Sequence, residues 1–211
     1  MRKLILMAIV FAIMSVQSCF AVEITSARVN DNENLIYPVV KTGNSEIENK
    51  INEEICCEIL RFIREIHYSA QYDNYEVADM RTNYEIGSNE AGNTVILSVL
   101  ITESSYFKGA AHPSTYLRTL NFNLSSGELM GIDYLLEVGE GFQEGLFIDK
   151  LNQKLREKVE RKEIFLFPDA LPLKNLPENF YWDKNLHVHF IFNQYEIAPY
   201  AAGIIDVDID E

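Results

Sequence analysis

The chain is short of the residues from which most reaction centres are built. It has 211 residues but only four histidines, three cysteines and one tryptophan. Cys19 lies near the start, and Cys56 and Cys57 are neighbours. Adjacent cysteines bridge each other only through a strained ring, so they form neither a disulfide framework nor a spaced metal site. They fall in a helical pattern whose phase turns Cys57 away from the apolar stripe, where a bridge to another molecule is open to it. No G-x-S-x-G elbow, P-loop or glycine-rich dinucleotide fingerprint occurs. No pair of carboxylates stands out for glycoside cleavage. The sequence therefore predicts no catalytic residue, no metal and no cofactor. Basic residues are also few, 18 against 32 acidic ones, for a net charge of −14. That balance disfavours nucleic acid and anionic lipid and favours encounter with a basic partner.

Long apolar runs are scarce too. The one at Leu4–Met14 follows Arg2 and Lys3 and is well short of the roughly 20 residues of a membrane span. It has the length of a secretory signal core, with Cys19 and Ala21 as small residues before a cut. Residues 1–21 are therefore predicted to be a signal peptide, giving a periplasmic or secreted chain from Val22 without a transmembrane helix. The alternative reading makes Cys19 a lipid anchor, although Gln17 fits that pattern poorly.

What the sequence does contain is alternation and helical periodicity. Ile24–Val29 and Leu35–Val40 read as strands, and Thr94–Thr102 as a central one. Ser45 and Glu48 have capping-box spacing, and Ile47, Ile51, Ile55, Ile59, Phe62 and Ile66 mark one helical face that closes at His67. Tyr68–Gly87 reads as extended, with its tyrosines packed, and a turn follows over Gly87–Gly92. In Tyr116–Leu124 the even positions share a face and the other face is mostly polar. A second helix is expected over Gly141–Lys162, a packed loop over Phe165–Pro177, and strands over Leu186–Phe192, with Leu186 inward, and Ile204–Ile209. There is no internal repeat. The pattern predicts an α+β fold, a largely antiparallel sheet packed with two long helices.

The histidines are the remaining candidates for chemistry. His187 and His189 lie two apart on a strand and share a face. Without a third ligand at telling spacing they read as a solvent-facing or hydrogen-bonded pair. Asp206, Asp208 and Asp210 form a charged strand end that lacks the glycine and glutamate of a calcium loop. His112 is held out of helical geometry by Pro113, and Gly109, Ala110 and Ala111 leave room around it. It reads as a structural residue in a strand connection, turned inward onto backbone.

Two separated stretches, KGAAHPSTYLRTLNFNLSSGELMGIDYLL (Lys108–Leu136) and FYWDKNLHVHFIFNQYEIAPYAAGIIDV (Phe180–Val207), are similar to one family. They resemble the extracellular domain of RsiV-type anti-sigma factors and the accessory region of PdaC-type peptidoglycan deacetylases. Ala110 stands where that family usually has a second glycine. The resemblance implies an α+β fold, with an N-terminal subdomain at 22–105 and an RsiV-like C-terminal domain at 106–211 sharing one core. It also implies binding to a basic lysozyme-type muramidase, with peptidoglycan as the alternative ligand. The H-x-x-x-H spacing of the deacetylases is missing, so their activity is not expected to carry over. The partner-binding residues implied are Tyr195, Glu196, Pro199 and Tyr200, with His112 beside them.

Overall fold

A computed structural model describes residues 22–88, 95–138 and 144–210. The expected leader, most of the 87–92 turn and the first residues of the 141–162 helix lie outside the described residues. The fold is α+β, with eight strands in three antiparallel sheets among the described residues. A hairpin of β1 (Glu23–Arg28) and β2 (Ile36–Lys41) leads into the 29-residue helix α1 (Ser45–Asp73). The central sheet follows as a meander of β3 (Val77–Ile86), β4 (Ile96–Phe107) and β5 (Ser114–Asn123). Two helices, α2 (Ile132–Val138) and α3 (Glu144–Glu160), precede a third sheet of β6 (Phe180–Trp182), β7 (Val188–Phe192) and β8 (Ile205–Asp208). The pairing of β4 with β5 runs along both strands, across the 105/106 boundary drawn from sequence.

β4 organises the molecule because both of its faces are covered. Leu97, Val99 and Ile101 point to one side and meet Ile51, Ile55 and Ile59 of α1, with Val40 and Phe122 completing that core. Each such aliphatic chain contributes about 1.5–3 kcal/mol by leaving water. On the other side Leu100 packs on Tyr181 and Ile191 of the third sheet. Sheet-to-sheet contact there is so close that a Cβ on Gly87 would lie 2.6 Å from Tyr181 and 2.7 Å from the Trp182 carbonyl. The polar face of β5 is covered as well, and its polar groups are consumed. Ser98 Oγ donates to Asn121 Oδ1 at 2.7 Å, and Asn121 Nδ2 donates to the Phe180 carbonyl at 2.8 Å. Asn193 takes the Leu117 N–H at 2.7 Å and returns a bond to its carbonyl, while Gln194 takes the Thr115 N–H. A buried polar seam is tolerated because its donors and acceptors are matched.

A second core lies between α3 and the third sheet, where Phe147, Leu151 and Leu155 meet Phe180, Phe190 and Val207. Leu166, Leu171, Leu173 and Leu176 of the expected packed loop lie against it.

Several local expectations are corrected. The N-cap of α1 is Asn44, whose side chain accepts from the Glu46 and Ile47 amides, one residue before Ser45. Glu48 still reaches back, accepting from the Thr42 and Gly43 amides. The helix passes His67 and ends at Asp73, where Asn74 adopts the left-handed conformation. Tyr68 and Tyr72 therefore stack on its exposed flank instead of packing in a sheet, and Tyr75 is exposed too. Leu186 is exposed in a left-handed turn, not inward on β7. Both cysteines of α1 are free and exposed.

Candidate functional site

The two halves of the familiar pattern meet at the surface. The β4–β5 connection turns at Gly109, whose φ of +87° suits glycine, and the Ala110 N–H donates to the Phe107 carbonyl at 3.0 Å. Open space surrounds Gly109, so the residue serves the backbone angle and not a close approach. The turn delivers His112 against a segment eighty residues later. Its ring stacks on Tyr200 with centroids 3.6 Å apart and planes 21° from parallel. Its Nε2 lies 3.3 Å from the Tyr195 hydroxyl, and its Nδ1 lies 3.1 Å from the Pro113 carbonyl.

Local chemistry explains why these rings face outward. Tyr195 sits in the left-handed region at φ +68°, in the turn after β7. Buried Ile197 and Ala198 anchor the next two positions, and the Ile197 carbonyl accepts the Phe167 N–H at 2.9 Å. Pro199 then caps a short 3₁₀ turn, Tyr200–Ala202, which presents Tyr200. Tyr195, Glu196 and Pro199 are exposed, and Tyr195 keeps 56 % of its surface. All five residues implied by the resemblance thus belong to one surface region. His112 departs from the inward placement expected for it. It bonds to backbone, but its ring joins the tyrosines.

His187 and His189 have a different setting. β7 and β8 pair with His189 opposite Asp208, so two alternating patterns interlock. His189 Nδ1 lies 2.8 Å from Asp206, and His187 Nδ1 lies 3.0 Å from Asp208. The Tyr181 hydroxyl donates to Asp206 at 2.8 Å. Burial opposes the positive charge on His189, but Asp206 and the neighbouring Asp208 and Asp183 outweigh it and raise its pKa. The hydrogen bond to Asp208 raises that of His187 against its desolvation. Burial would raise Asp208, yet the Asp210 N–H and His187 hold it below the usual carboxylate value. Burial, and then its bond to Asp206, push the Tyr181 hydroxyl above the ordinary tyrosine value. His189, Asp206 and Asp208 line a cleft of about 280 Å³ together with Lys154, Glu157 and Lys158 of α3 and with Arg161 and Glu163 just after it. No cluster of three or more His, Cys, Asp or Glu residues among the described ones has a metal-holding geometry.

A third charged group escaped the sequence reading. Glu103 continues the buried parity of β4 and is only 2 % exposed. Arg61 bridges it at 3.2 Å and also binds Glu58 at 2.6 Å, and Arg118 lies 3.7 Å away. Burial pushes the Glu103 carboxyl up to about 7, against the pull of Arg61. Its sequence signal is a carboxylate at an inward position after the apolar run of β4. The group pins α1 to the central sheet.

A family model described as "Protein of unknown function (DUF3298)" matches residues 138–210. The match takes in the Phe180–Val207 stretch and begins after the Lys108–Leu136 one. A DUF3298 family structure from Bacteroides fragilis NCTC 9343 is 18 % identical, with a TM-score of 0.54 over 89 % of this chain and 87 % of that one. One from Pseudomonas aeruginosa PAO1 is 14 % identical, with a TM-score of 0.57 over 89 % of each chain. These similarities establish a shared fold. No curated protein matches the chain. No described helix is long and apolar enough to cross a membrane.

Proposed function

We propose that this chain is an exported cell-envelope binding protein that recognises, and thereby inhibits, a basic lysozyme-type muramidase. The observation that carries this reading is the His112–Tyr195–Tyr200 ring surface, assembled from two distant segments, with Tyr195 exposed beside half-buried His112 and Tyr200. Tyrosine supplies large, rigid contact area at low entropic cost and is a common interface anchor. Exposed Glu196 in the same turn and the net charge of −14 suit a basic partner. The resemblance to RsiV-type domains points the same way.

A second reading has a glycan strand of peptidoglycan as the ligand. It is favoured by the same rings, since aromatic faces suit the apolar faces of sugars. Titration calorimetry of the protein against a basic c-type lysozyme at two salt concentrations tests the first reading. Tight binding that weakens with salt is expected. No heat and no complex with any of several muramidases removes it, and a pull-down on purified peptidoglycan then decides the second.

A further inference from the structure

The exposed face of α1 carries a charge pattern that fits its own reverse. Along one side of the helix, at spacings of three and four, lie Glu53, Cys57, Leu60 and Arg64. All four are exposed, Leu60 by 52 %, so an apolar side chain and a thiol sit in the middle of a solvent-facing stripe. The acid lies four residues before Cys57 and the base four residues after Leu60. Neither Glu53 nor Arg64 takes part in a salt bridge among the described residues. The opposite face of the helix is spent on the core through Ile51, Ile55, Ile59 and Phe62.

We infer that α1 is the contact surface between two copies of this chain, packed antiparallel about a twofold axis passing between Cys57 and Leu60. Antiparallel packing in that register places Glu53 of each copy opposite Arg64 of the other. It places Cys57 opposite Leu60, and twofold symmetry repeats each pairing. A parallel arrangement would set Glu53 against Glu53 and Arg64 against Arg64. The stripe from Glu53 to Arg64 is about 16 Å long at 1.5 Å per residue, so the non-covalent contact is small and weak. The two Cys57 thiols lie within one turn of the axis and lock the pair. Two thiols yield one disulfide, two protons and two electrons, and the electrons pass to an incoming disulfide such as oxidised glutathione, which becomes two thiols.

This inference does not depend on the muramidase reading, because it uses another face of the molecule. The purified protein is incubated with a glutathione redox pair and followed by sedimentation velocity and non-reducing gels. A covalent dimer is expected, absent in Cys57→Ser and retained in Cys56→Ser. Glu53→Arg and Arg64→Glu should each lower the initial rate of dimer formation about tenfold, since each reversal acts twice across the axis. The double variant Glu53→Arg/Arg64→Glu should recover it. A monomer under oxidising conditions overturns the inference. So does cross-linking that is indifferent to the charge reversals, which would mark mere thiol accessibility.

Discussion

The molecule places three of its four histidines in two contrasting surroundings, His67 lying apart on α1. At the ring surface, His112 stacks on Tyr200 and touches Tyr195, and no carboxylate among the described residues bonds to it. On the third sheet, His187 and His189 are each held by an aspartate, and Tyr181 shares Asp206 with His189. In the first group both ring nitrogens of His112 have neutral partners, and the rings lie half-buried or exposed at the surface, with Tyr195 the most open. In the second the Nδ1 atoms are held by Asp206 and Asp208, while the buried Nε2 of His189 has no hydrogen-bond partner among the described residues and lies 3.8 Å from Asp208. The difference separates a ring surface held by neutral contacts, the one proposed above for recognition, from a charged group that ties β7 to β8. A histidine's neighbours, more than its spacing from the next histidine, tell which of the two it serves.

The contrast can be broken most forcefully at the tyrosines. Tyr195→Ala combined with Tyr200→Ala should weaken muramidase binding about 100-fold while leaving the melting temperature nearly unchanged. Calorimetry on both proteins checks this, and equal affinity would detach the rings from recognition. Asp206→Ala should do the reverse. It strips a partner from both His189 and Tyr181 and should cost about 1–2 kcal/mol of stability, allowing for the partial exposure of Asp206, with affinity unaltered. Urea unfolding measures it. Gly109→Ala touches neither group but strains the turn that carries His112, at about 1 kcal/mol. A modest loss of binding with that variant would show that the turn's geometry positions the ring.

The smallest effect is one of pH. The raised values of His187 and His189 mean stability that is present below their ordinary 6.5 and is lost as pH rises through the folded values. Glu103 acts in the same direction, because burial favours its protonated form and its value of about 7 lies above the ordinary 4.5. Asp208 acts oppositely, and its contribution disappears as acid protonates it. Thermal melts should therefore fall gently from pH 6 to pH 8. Replacing both histidines by glutamine should flatten the histidine part and leave the Glu103 part.

The sequence made the α1 stripe, the β4 run and the alternation of β5 legible because each is a local period. The α1 cap was misplaced by one residue because Asn44 and Ser45 are both good caps, and the Thr42–Gly43 turn decides between them. The segment after His67 reads as extended because its tyrosines favour strands, yet no proline or glycine interrupts the helix before Asn74, so α1 runs on to Asp73. The His–Asp pairing was half visible. Both alternations were plain, but only the register of β7 on β8 brings His189 opposite Asp208. The stacking of His112 on Tyr200 joins residues 88 positions apart, and local chemistry carries no record of such a meeting. Their candidacy came from resemblance, and their contact from the fold.

The amide caps on β5 bear on how these chains behave when crowded. An outer strand with unmet N–H and C=O groups recruits strands from neighbouring molecules and seeds fibrils. Here Gln194 occupies the Thr115 N–H, Asn193 occupies both backbone groups of Leu117, and Met130 and Glu128 donate to or accept from Asn121 and Asn123. Across the sheet, the Thr82 N–H on β3 is taken by the Asn34 carbonyl. Asn193, which ties the third sheet to the central one, thus withholds the template on which a misassembled polymer would grow.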